Sequence, residues 1–138
     1  MSAPVSLGIV SRRRLLQGAG AIALATLLAG RTPRWERLRM ELPALADNGQ
    51  AVPLRLSMSG PLAPESSVLA IHLFSEVNPV PDMAVFEFPS PPTKVEIDTR
   101  VRLAGSQHVV AVAVMSDDTL YAAVAEVVVT FAACFDGS

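Results

Sequence analysis

Few side chains in this sequence can do chemistry. There is one cysteine and there are two histidines among 138 residues. Cys134 follows the apolar, β-branched run VVVTFAA and precedes Phe135-Asp136-Gly137-Ser138. A structural disulfide within the chain needs a second cysteine, so the thiol is kept reduced, joined to another molecule, or used. Reactivity follows the thiolate fraction, which cations, helix N-termini or metals raise. Here Asp136 and the terminal carboxylate are close in sequence, and both disfavour the thiolate. Cys134 therefore suits a carried group better than a self-activated nucleophile: a thiol delivered to active sites on other proteins. The rival reading is a small buried hydrophobe, since cysteine is among the most buried residue types. Its place beyond the last apolar run favours an exposed, functional thiol, because chain ends are usually exposed.

The other candidates are thin. His72 sits inside an apolar run and His108 precedes one. A metal site needs three or four convergent ligands, and these two with Cys134 lack that spacing, so no metal is expected. Asp117-Asp118 lies in a turn signal, Ser-Asp-Asp-Thr. No serine stands in a nucleophile elbow and there is no glycine-rich phosphate loop. With no acid, base or metal constellation, neither an enzyme acting alone nor a bound cofactor is expected. Net charge is −2, which argues against a nucleic-acid binder, whose footprint is a basic patch.

The elements that would position Cys134 are strands. Val52, Leu54, Leu56 and Met58 alternate with Pro53, Arg55, Ser57 and Ser59, the period of a half-buried strand. Val68 to Phe74 alternates less clearly and is expected to be buried on both sides. Met83 to Phe88 is a third candidate. From Thr93 to Leu103, Val95, Ile97, Val101 and Leu103 share one face and charged residues the other. Val109 to Met115 and Leu120 to Phe131 flank the Asp117-Asp118 turn. Alanine makes LYAAVAEVVV ambiguous, but the β-branched stretch Val127 to Thr130 decides it for strand. Met40-Glu41-Leu42 completes about seven strands. Asp47-Asn48-Gly49 and Asn78-Pro79-Val80-Pro81 read as turns or rigid loops. The expectation is an all-β, immunoglobulin-like antiparallel sandwich over residues 40–131. A linker (31–39) precedes it and an arm (132–138) follows.

Residues 1–30 read as an export signal. Ser11-Arg12-Arg13-Arg14-Leu15-Leu16 fits the twin-arginine pattern, with Arg12 and Arg13 as the pair. The weakly apolar segment Gly18 to Gly30 follows, short of the ~20 residues that a spanning helix needs. An uncleaved anchor and a plain secretory signal are alternatives. Small-x-small cleavage positions occur at Ala23-Leu24-Ala25 and near Ala29. Removing residues 1–30 takes away three arginines that have no acidic counterpart there, moving the net charge from −2 to −5. The mature chain would be a small acidic protein of the periplasm.

These residues resemble the SoxY family, the sulfur-carrier subunit of thiosulfate oxidation. The resemblance rests on ELPALADNGQAVPLRLSM (Pro43, Ala46, Asn48, Gly49, Val52, Pro53), on Asn78-Pro79-x-Pro81, on TRVRLAGSQHVVAVAVMSDDTLYAA and on VVVTFAAC. It implies an immunoglobulin-like fold, a heterodimer with a SoxZ-like subunit, and sulfur intermediates held covalently on Cys134. Haem, manganese and molybdenum enzymes of periplasmic sulfur oxidation would process the cargo, and the carrier itself would catalyse nothing. The family arm, Gly-Gly-Cys-Gly-Gly, is replaced here by Ala132-Ala133-Cys134-Phe135-Asp136. That is similar to a side branch whose arm reads Ala-Ala-Cys-Ile-Glu. Alanine stiffens the approach that glycine would leave slim and free, Phe135 adds bulk, and Asp136 adds a charge that repels an anion. The alternatives are an adaptor subunit of a periplasmic redox complex that has lost carriage, and a chaperone-like or sensing module for a redox enzyme.

Overall fold

The computed structural model describes residues 19–62, 65–79 and 82–130. Among the described residues eight strands form two sheets: β1 (Leu38–Glu41), β2 (Leu45–Ala46), β3 (Val52–Met58), β4 (Val68–Ser75), β5 (Asp82–Glu87), β6 (Glu96–Val101), β7 (Gln107–Met115) and β8 (Leu120–Val129). One sheet has the order β1-β3-β6 and the other β2-β8-β7-β4-β5. Among the described residues one helix, α1 (Ala19–Leu28), precedes them. The expected all-β sandwich is present. Its strand count is eight, because the two-residue β2 was not expected, and β2 runs parallel to β8 while the other strand pairs are antiparallel.

The alternation in β3 places Val52, Leu54 and Leu56 in the core at 0–1% exposure, with Pro53 and Arg55 outside. Large side chains on one sheet meet small ones on the other. Leu38, Leu54 and Leu56 share a cluster with Ala111 and Ala113 of β7, and Ala123 of β8 packs against it. Such pairing of large with small keeps the layers at interior density. LYAAVAEVVV is a strand, as its β-branched end requires, and it pairs with β7 from Leu120 to Val127. β4 is less uniformly buried than expected. Ile71 and Leu73 point into the core, whereas Leu69 is 47% exposed and His72 half-buried.

The outer face of the five-stranded sheet also carries apolar side chains, and α1 lies on it. Leu24 and Leu28 cluster there with Phe74, Val110, Val112, Leu120 and Ala122, and Ala23, Leu27, Trp35 and Val114 pack alongside. Each fully buried leucine stabilises this contact by roughly 1.5–3 kcal/mol. His72 stacks on Phe74 on the same face, with ring centroids 6.2 Å apart. Burial lowers the His72 pKa, and Asp82 and Glu87 only partly offset this. A histidine whose pKa is lower in the fold than in the unfolded chain makes stability rise with pH between the two values. The melting temperature is therefore expected to fall as pH drops below the ordinary histidine value of about 6.5, and in His72→Leu that component of the slope disappears. Thermal melts of both proteins at pH 7.5 and 5.5 check this.

Candidate functional site: the end of the sandwich that bears the arm

Cys134, Ala132, Ala133, Phe135 and Asp136 lie outside the described residues, as do Arg12 and Arg13. What the structure defines is the end of β8 that precedes these residues. Thr130 is the last described residue, four positions before the thiol.

This end of β8 is held on both sides. On one side β2 runs alongside, pairing Leu45 with Val128 and Ala46 with Val129. The Val128 amide donates to the Ala44 carbonyl at 2.9 Å and the Thr130 amide to the Ala46 carbonyl at 3.0 Å. The Thr130 hydroxyl donates to the Asp47 carbonyl at 3.2 Å. On the other side the Val129 amide donates to the Ser106 hydroxyl at 2.8 Å. The expected Asp47-Asn48-Gly49 turn closes β2 onto β3, with the Asn48 carboxamide accepting from the Gln50 amide at 2.8 Å. The Gly49 carbonyl accepts from Leu103 at 2.7 Å, which ties this turn to the β6–β7 loop.

Beside this end of β8, a buried polar network joins the β4–β5 and β6–β7 loops. Gln107, 4% exposed, stands at the start of β7 opposite Ser75 at the end of β4. The Ser75 hydroxyl donates to the Gln107 side-chain oxygen, as does the Glu76 amide at 3.1 Å. The Gln107 amide group donates to the Asn78 side-chain oxygen and to the Gly105 carbonyl, both at 3.1 Å. Asn78 completes the bridge, accepting from the Ala104 amide at 2.9 Å and donating to the Arg102 carbonyl at 2.7 Å. The Asn78-Pro79 loop is thus fixed at its first residue; Val80 and Pro81 lie outside the described residues. Gln107→Leu would leave several buried polar groups without partners, at about 1–3 kcal/mol. A drop in melting temperature on the order of 10 °C is expected in calorimetry.

Neither histidine belongs to a reactive set. His108 sits beside Glu76, with Nδ1 3.2 Å from a carboxylate oxygen that also accepts the His108 amide at 3.0 Å. His72 pairs with Val112, four residues along β7 from His108. At the ordinary strand rise the two are roughly 13 Å apart. Among the described residues no group of three or more His, Cys, Asp or Glu could hold a metal. A cleft of about 380 Å³ opens nearby between the edges of β5 and β6, lined by Asn78, Met83, Phe86, Arg100 and Arg102 among others. Asp82 also lines it. Asp117 accepts the Thr119 amide at 3.0 Å, which holds its carboxyl below the usual carboxylate range and confirms the turn.

Sequence reasoning missed Ala46, Ser106, Gln107 and Thr130 as parts of the site. Ala46 stood within the ELPALADNG block, but nothing in that block shows that it pairs with a strand some 80 residues later.

A family model described as "Sulfur oxidation protein SoxY" matches residues 24–134. The structure of the sulfur carrier protein SoxY from Chlorobium limicola f thiosulfatophilum is similar, with 31% identity and a TM-score of 0.62 over 80% of this chain and 94% of that one. A putative superoxide reductase from Thermotoga maritima is similar at 16% identity and a TM-score of 0.58, over 68% of this chain and 86% of that one. The neelaredoxin-type superoxide reductase from Ignicoccus hospitalis gives 19% and 0.53, over 68% and 80%. At such identities these two share the fold and carry no chemistry across. No curated protein sequence matches the chain.

Proposed function

Since the chain belongs to the SoxY family of sulfur oxidation proteins, we propose that it is a non-catalytic carrier in sulfur oxidation, with a sulfur-containing intermediate bound covalently to Cys134. The observation that carries this reading is the anchored end of β8. Thr130 is fastened to β2 while Cys134 follows four residues later. Four extended residues reach at most ~14 Å, enough to present a thiol beyond the sandwich surface. The body then supplies a stable mount and the partner enzymes supply activation. That division of labour fits a cysteine with acidic groups following it in sequence and no cation close to it in sequence.

Export by the twin-arginine route through Arg12 and Arg13, residence in the periplasm and pairing with a SoxZ-like subunit complete the proposal. The sulfur-oxidation enzymes are the clients. Intact mass spectrometry of the protein, purified from its own periplasm without reductant, tests it. A sulfur-containing adduct on Cys134 that leaves on reduction is the expected result, and its mass names the cargo. A bare thiol, or a simple disulfide with a second copy, would replace the carrier by the adaptor reading.

A further inference from the structure

The apolar segment that reads as part of an export signal is folded onto the sheet. Its side chains divide as a packed helix requires. Ala23, Leu24, Leu27 and Leu28 face the sheet, while Ala25, Thr26, Ala29 and Gly30 are exposed. The spacing of 24 with 28 and of 23 with 27 is one face of an α-helix. The helix also has a built C-terminus. Ala29 and Gly30 take the left-handed conformation (φ 51° and 82°) that closes helices. The Arg31 amide and its Nε both donate to the Leu28 carbonyl, at 2.9 and 3.1 Å, and its Nη2 donates to the Leu27 carbonyl at 3.1 Å. Cations and donors at this end complement the helix dipole. Under the helix the void among Leu24, Leu28, Pro33, Trp35, Val110, Val112 and Ala122 is only about 10 Å³, at or below the room one water needs. The chain then continues as a bridge beside β8, with the Arg34 amide donating to Leu120 and the Ala122 amide donating to Arg34. The family match itself begins at Leu24, inside the helix.

We propose that α1 is a permanent part of the folded protein, and that export processing, where it cuts, cuts ahead of Ala19. Both small-x-small positions in the segment would destroy the contact. A cut after Ala25 removes Leu24 and leaves three helical residues, too few to hold a helix. A cut near Ala29 removes the helix and leaves only Pro33 and Trp35 over Phe74, Val110, Val112, Leu120 and Ala122 in mid-sheet. The exposed Val85, Val124 and Val128 lie on the same sheet, so the newly bared side chains would add to apolar surface already open to water. The apolar stretch therefore has two tasks in succession: guiding export, then closing the outer face. This rests on the export reading and is independent of the carrier role of Cys134.

Intact mass of the exported full chain tests it. The expected mature N-terminus lies at or before residue 19, and one between residues 24 and 35 overturns the proposal. The same spectrum reports any adduct on Cys134 separately, so either reading can fail while the other stands. The second measurement uses Trp35, the chain's single tryptophan, whose Nε1 is buried beside the helix. In full-length Leu24→Ala/Leu28→Ala the emission of Trp35 should shift to the red, and proteolysis before residue 35 should run about tenfold faster as the helix opens locally. Unchanged emission and proteolysis in that variant would also overturn the proposal.

Discussion

Cys134→Ser is expected to leave the melting temperature unchanged and to remove the covalent cargo completely. On the proposed carrier reading the side chain at 134 stands clear of core packing. A substitution away from such packing shifts stability by no more than ~0.5 kcal/mol. The chemical effect is total, because a hydroxyl cannot form the sulfur–sulfur bond and the chain has no second cysteine to substitute for it. Paired measurements are needed: a thermal melt, and intact mass after incubation with the client enzymes and substrate. Cargo persisting on the serine variant would place attachment elsewhere. A large fall in melting temperature would mean that the cysteine is a core residue, the reading weighed against the carried thiol.

Leu56→Ala should do the reverse. Leu56 is 0% exposed in β3, the central strand of the three-stranded sheet, where it shares a cluster with Ile71, Leu73 and Met115 of the opposite sheet. Truncation removes apolar contacts and leaves a cavity that the facing alanines of β7 are too small to fill. The cost for such sites is ~2–5 kcal/mol. For a domain near 100 residues each kcal/mol corresponds to roughly 4–8 °C, so a fall on the order of 10–30 °C is expected in calorimetry. Cargo loading at low temperature should survive, because Cys134 itself is intact. A fall under ~3 °C would mean that the two layers can close over the gap, contrary to the packing described. Together the two variants separate the mount from the hook: one loses chemistry and keeps the fold, the other weakens the fold and keeps the chemistry.

The period-two runs made the sandwich legible. β3 alternates so cleanly that its buried positions could be read directly, and Val95 and Leu103 around β6 follow the same rule. β2 could not be read, since two residues cannot display an alternation, and its pairing depends on a distant strand. The helix was hidden for another reason. A stretch that is apolar on nearly every position reads as an address, and only the outer face of the sheet shows that four of its side chains have a place to go. Cys134 stands out in the sequence by count alone and lies outside the described residues. Ser75 and Gln107 were visible only as polar residues at the ends of apolar runs, because their mutual hydrogen bond joins strands 32 residues apart. Non-local pairing of that kind leaves no mark on local composition.

The fastening of β8 has a mechanical consequence. Inter-strand hydrogen bonds in a sheet run across the strand axis. β8 has β7 on one side over eight residue pairs and β2 on the other at its final residues. A tug on the C-terminal segment along the axis of β8 therefore loads these bonds in shear, together, instead of peeling them one by one. The end of β8 is thus built to resist force applied along the strand.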